Sequence, residues 1–77
     1  MDVNEILDLL EYDGIEAEAD GNTLIVEVEG YDPYEYEVDG DTLYRDGMEC
    51  VTGDSKRAEA WIYDEVAGLY FDREALI

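Results

Sequence analysis

Carboxylates make up nearly all the reactive chemistry of this 77-residue chain, which has 23 Asp and Glu, 4 Lys and Arg, no His and one Cys. Without an imidazole, neither Cys50 nor Ser55 has the partner base that turns a thiol or hydroxyl into a nucleophile. Paired carboxylates can work as acid and base when their environments drive their pKa values apart. That requires burying one of them in a pocket, which a chain this short rarely builds. Catalysis is therefore disfavoured, and no cofactor is expected. Asp39-Gly40-Asp41 and Asp46-Gly47 look superficially like calcium loops. They lack the Asp-x-Asp-x-Asp-Gly run with a distal Glu, and read better as turns joining strands. No metal site is expected either. A lone Cys50 offers no intrachain disulfide and too few ligands for a zinc cage, which fits a reducing cytoplasm.

The length allows one domain, residues 1–77. The hydrophobic share of 47% is too high for a chain that stays disordered. No apolar run approaches the roughly 18 residues of a membrane span, and Met1-Asp2 does not open a secretory leader, so a cytoplasmic chain is expected.

Val3, Ile6, Leu7, Leu9 and Leu10 recur at helical spacing and predict a helix over 3–12. Asp2 is the expected N-cap, Glu5 the capping-box partner reaching back, and Asp13-Gly14 the stop. From Ile15 the period becomes two: Ile15, Ala17 and Ala19 alternate with Glu16, Glu18 and Asp20 up to Gly21-Asn22. Leu24, Val26 and Val28 alternate with Glu27 and Glu29. After Gly30-Tyr31-Asp32-Pro33, Tyr34, Tyr36 and Val38 alternate with Glu35 and Glu37. Asp39-Gly40 leads to a short strand at 42–45, and 48–51 extends the meander after Asp46-Gly47. Residues 58–71 suit either a helix capped by Asp54 or Ser55 or a strand, with the helix favoured. Gly68 stands where that helix would stop, and Asp72 could cap a last turn through Leu76. The expectation is an α+β fold: an N-terminal helix, an antiparallel β-meander of three to five strands, and one or two C-terminal helices on one face.

The charge is polarised along the chain: 15 of the acids precede Arg45, and all 4 bases lie from Arg45 onward. A net charge of −19 burdens the compact state with self-repulsion that neutral residues would have avoided. On a sheet, Glu16, Glu18, Glu27, Glu29, Glu35 and Glu37 share the face opposite the apolar one. Successive acids on a strand then lie about 6.7 Å apart, with neighbouring rows at about 4.8 Å. Folding alone calls for no such lattice, since like charges directly opposite one another destabilise a sheet. It resembles a phosphate backbone in sign and spacing, and a rigid carboxylate lattice can occupy a groove built for nucleic acid.

The aromatic residues and Cys50 divide between packing and contact. Tyr34 and Tyr36 fall on the apolar phase as core, with hydroxyls at the rim, and Trp61 and Cys50 are expected to be buried. Tyr31 and Tyr44 are the contact candidates.

Met1-Asp2-Val3-Asn4-Glu5-Ile6-Leu7, Asp13 at the helix end and Asp32-Pro33-Tyr34-Glu35-Tyr36 together resemble small phage-encoded anti-CRISPR proteins that mimic DNA. The likeness is to the helix, three-strand, two-helix inhibitor that plugs the PAM-reading cleft of a type II RNA-guided nuclease. It covers roughly half of the chain. It implies that Asp13, Asp32 and Glu35 would meet the PAM-contacting arginines. The chain departs from that pattern in its Gly30 and Pro33 turn, its shorter first hairpin, its higher acidity and its C-terminal half.

The leading expectation is a non-catalytic inhibitor, a DNA mimic occupying the basic cleft of a nuclease such as a CRISPR effector. Its expected contact residues are Asp13, Glu16, Glu18, Glu27, Glu29, Tyr31, Asp32, Glu35, Glu37, Asp39 and Asp41. Direct binding to nucleic acid or membrane is not expected. Two alternatives stand beside it: an acidic adaptor that binds a basic protein without competing with DNA, and an ordinary small domain of a salt-adapted organism.

Overall fold

The computed structural model describes the backbone of residues 1–75 and the side chains of residues 1–68. The elements run α1 (Val3–Tyr12), β1 (Ala17–Asp20), β2 (Thr23–Val26), β3 (Tyr34–Asp39), β4 (Thr42–Arg45), β5 (Met48–Thr52) and α2 (Ser55–Ala75). This is the expected α+β arrangement, with five strands in the order β1-β2-β3-β4-β5, each antiparallel to the next.

The helix starts follow from short polar side chains. Asp2 Oδ1 accepts the N–H groups of Asn4 (2.8 Å) and Glu5 (3.2 Å), satisfying orphan donors of the first turn of α1. The capping box with Glu5 does not form. The Asp2 N–H donates instead to Ser55 Oγ at 2.9 Å, because α2 begins beside α1 and brings a buried hydroxyl to that donor. At the start of α2, Asp54 Oδ1 accepts the Arg57 N–H at 2.9 Å. The Asp13-Gly14 stop holds: Gly14 takes φ +81°, and Ile15 N–H bonds back to Leu10 O at 2.9 Å, closing the last carbonyls.

The helix reading of 58–71 is the correct one, but Gly68 does not stop it, since α2 continues to Ala75. A glycine inside a helix costs only about 1 kcal/mol, which flanking turns absorb. The expectations for the Asp72 side chain and for Leu76 lie outside the described residues.

Tight turns set the register. Asp46 (φ +55°) and Gly47 (φ +78°) both adopt positive φ between partners Arg45 and Met48, as a two-residue type I′ hairpin requires. Between β4 and β5 the register shifts: Leu43 pairs with Val51, Tyr44 with Glu49. Cys50 is the extra, bulged residue. It is half-buried, not buried as expected, and burial followed by the nearby Glu65 charge pushes its thiol up.

Both helices cover the same face of the sheet. Val3, Ile6 and Leu10 of α1 and Ala58, Ile62 and Val66 of α2 close on Leu24, Val26, Tyr36, Val38 and Leu43 in one core. Tyr36 is fully buried, so its hydroxyl needs a partner. It donates to Glu65 Oε1 at 3.1 Å, and burial followed by the Glu65 charge pushes the phenol far above its usual value. Trp61 is not core. It is 40% exposed, and its Nε1–H donates to the same Glu65 oxygen at 2.7 Å.

Candidate functional site

Because both helices pack on one side, the opposite face of the sheet is left without a covering layer, and the strand registers say what stands on it. In an antiparallel pair, Cα partners project to the same side. One outward row runs Glu18, Ile25, Glu35. The next runs Asp20, Thr23, Glu37, Tyr44, Glu49, and a third runs Asp39, Thr42, Thr52. Glu18, Asp20, Glu35, Glu37, Asp39 and Glu49 are all exposed. Among the described residues no base stands on this face. Arg45 projects to the helix side, where its Nη1 lies 2.8 Å from Glu65 Oε2 and its Cζ 4.8 Å over the Tyr34 ring.

The lattice differs from the expected one in a physically informative way. Acid-bearing strands alternate with neutral ones: β2 shows Thr23 and Ile25, β4 shows Thr42 and Tyr44. Carboxylate rows on β1 and β3 are therefore about 9.6 Å apart, twice the strand spacing, in place of about 4.8 Å. Within the paired strands no two acids on this face oppose each other directly, which limits cross-strand repulsion to the Glu16–Glu27 step beyond the β1–β2 ladder. At about 0.1 M salt the Debye length is also about 10 Å, which screens one row from the next.

β2 ends at Val26, but the alternation runs on past it, with Glu27 and Glu29 exposed and Val28 buried. Glu27 N–H donates to Glu16 O at 2.9 Å, so these two acids face each other one step beyond the β1–β2 ladder. Both line an open groove of about 450 Å³ with Ile15, Val28 and Val66. Glu29 belongs to a turn closed by Tyr31 N–H on Val28 O at 3.0 Å. Tyr31, 47% exposed, and Asp32 follow in the same loop. Asp41 sits in the β3–β4 turn beside Thr42, whose Oγ1 donates to its Oδ1 at 3.4 Å.

Asp13 is elsewhere. As C-cap of α1 it belongs to the helix layer, where it hydrogen-bonds the Glu59 carboxyl of α2. That bond, burial and the Asp13 and Asp64 charges push Glu59 up to about 7. The structure thus unites Glu18, Glu35, Glu37 and Asp39 on one face, sets Glu16 and Glu27 at one end and Asp41 at another, and separates Asp13. Glu5, Asp8 and Glu11 are exposed on α1 as well, so acidity is not confined to the sheet.

Sequence reasoning missed Asp20 and Glu49, and named Tyr44 as a contact candidate without its setting. Asp20 continues the Glu16, Glu18 alternation and was legible there. Glu49 joins the face because the two-residue Asp46-Gly47 turn pairs it with Tyr44, and the bulge at Cys50 then returns Val51 to the core side opposite Leu43. Tyr44 lies half-buried between Glu37 and Glu49 and lines a groove of about 210 Å³ with Thr23, Glu35, Glu37 and Asp46.

Among the described residues no group of His, Cys, Asp and Glu is arranged to hold a metal ion, and no helix is long and apolar enough to cross a membrane. No family model, curated protein or solved structure matches the chain.

Proposed function

We propose that the protein is a non-catalytic inhibitor that presents the open face of its sheet to the basic groove of a nucleic-acid-binding protein, where phosphates would otherwise lie. A defence nuclease such as a CRISPR effector, in the cytoplasm of an infected cell, is the proposed target. The observation that carries this reading is the outward set Glu18, Asp20, Glu35, Glu37, Asp39 and Glu49 on three strands of the five-stranded sheet, with no base among the described residues of that face.

Paired strands hold the backbones of these acids in place before binding, which spares the ordering cost that a flexible acidic tail would pay. Rows about 6.7 Å apart along a strand and about 9.6 Å across fall in the range of DNA groove widths, roughly 6 to 12 Å. Charge of one sign steers association with a cationic cleft and makes it sensitive to salt.

The test is affinity capture from a nuclease-bearing host lysate on the immobilised protein, repeated with excess duplex DNA. Loss of capture when the duplex is added is the expected result. Capture indifferent to DNA contradicts mimicry and favours an acidic adaptor.

A further inference from the structure

Building on that acidic-face reading, we propose that Tyr44 makes the face selective for guanidinium over ammonium groups, so that the partner is gripped through arginine side chains. The cross-strand row Glu37, Tyr44, Glu49 sets an aromatic ring between two carboxylates. The groove that the ring lines also carries Glu35 and Asp46. A guanidinium is flat and weakly hydrated. It can lie over a phenol ring while its N–H edge forks onto a carboxylate. An ammonium is a compact, strongly hydrated charge and gains little from the ring while it holds the acid.

The molecule already contains this arrangement on its other side. There Arg45 lies 4.8 Å over the Tyr34 ring and 2.8 Å from Glu65, a tyrosine and a carboxylate holding one guanidinium. Tyr44 with Glu37 and Glu49 repeats those ingredients on the open face, where the chain supplies no cation among its described residues. A second copy of this chain, at −19, is excluded as occupant by like charge. The complementary occupant is an arginine-bearing surface.

The experiment titrates nonaarginine and nonalysine, at low ionic strength, into the wild type and the Tyr44→Phe, Tyr44→Leu and Tyr44→Thr variants, with circular dichroism reporting the fold. The wild type binds nonaarginine more tightly, and Tyr44→Phe keeps the ratio of the two affinities. Tyr44→Leu, or Tyr44→Thr if the leucine variant misfolds, lowers that ratio by roughly two- to fivefold while nonalysine binding barely changes. In the wild type itself, the Tyr44 ring resonances shift with nonaarginine and stay put with nonalysine. An unchanged ratio in folded Tyr44→Leu or Tyr44→Thr, or an unmoved ring with nonaarginine bound, overturns the role of Tyr44 and leaves the acidic-face reading standing. Failure of both peptides to bind overturns both.

Discussion

Arg45 of β4 and Glu65 of α2 meet at 2.8 Å, tying the end of that strand to the closing helix on the side away from the acidic face. The same carboxylate accepts the Tyr36 hydroxyl (3.1 Å) and the Trp61 indole N–H (2.7 Å). One acid therefore satisfies three donors, one of them on a fully buried side chain.

Removing that acid strands its donors. Glu65→Ala is expected to cost about 2–3 kcal/mol, because the buried Tyr36 hydroxyl and the Arg45 guanidinium both lose their acceptor. At this chain length that lowers the melting temperature by about 10 °C or more. Tyr36→Phe leaves Glu65 with two donors and should cost within about 1 kcal/mol. Thermal melts of the two variants check the asymmetry, and equal losses would contradict it.

Ser55 replaces Glu5 as the partner of the Asp2 N–H, and the two residues should therefore respond differently. Ser55→Ala is expected to destabilise by about 1–2 kcal/mol, the cost of an unsatisfied part-buried donor. Glu5→Ala, which removes any capping-box acceptor, should cost no more than about 0.5 kcal/mol, the loss of an acid in the first turn. Denaturant midpoints at unchanged m-value decide between this cap and a capping box.

Glu59 makes stability depend on pH. Its folded-state value of about 7 lies above the ordinary carboxylate range, so the folded chain binds a proton that the unfolded chain has released over that interval. Stability should therefore fall as pH rises from about 4.5 to about 7, the folded state holding more protons there. Glu59→Gln should flatten that slope and raise the melting temperature at pH 8 by a few degrees. Melts across this range in both proteins are the check, and a wild-type slope unchanged by the substitution would contradict the Asp13–Glu59 contact.

Salt should move folding and binding in opposite directions. Screening relieves self-repulsion at a charge of −19, so the melting temperature rises modestly from low to moderate salt. Affinity for a cationic partner falls over the same range. A chain that folds only near molar salt would instead be an ordinary domain of a salt-adapted organism.

Most of the fold was legible because local signals agreed with one another. Asp2, Asp13-Gly14 and the apolar spacing bounded α1, and Asp39-Gly40 and Asp46-Gly47 placed the hairpins. What stayed hidden depends on distant partners. Ser55 displaces Glu5 only because α2 starts beside α1. Trp61 stays at the surface because Ile62 and Val66 fill the seam and Glu65 takes its N–H. In the candidate site, Glu18, Glu35, Glu37 and Asp39 followed from alternation alone. Glu27 and Glu29 keep to it in exposure, but the strand itself ends before them, since the end of a strand is set by the chain it pairs with. The separation of Asp13 is likewise a tertiary fact.

Contact made by the sheet face and contact made by acidity at large predict different responses to the same loss of charge. Two triple variants remove the same charge: Glu18→Gln, Glu35→Gln, Glu37→Gln on the open face, and Glu5→Gln, Asp8→Asn, Glu11→Gln on α1. Measured by DNA-competable capture of the target, the first should lose most of its binding and the second should keep nearly all of it. Equal losses, or a larger loss from the α1 variant, would contradict the claim.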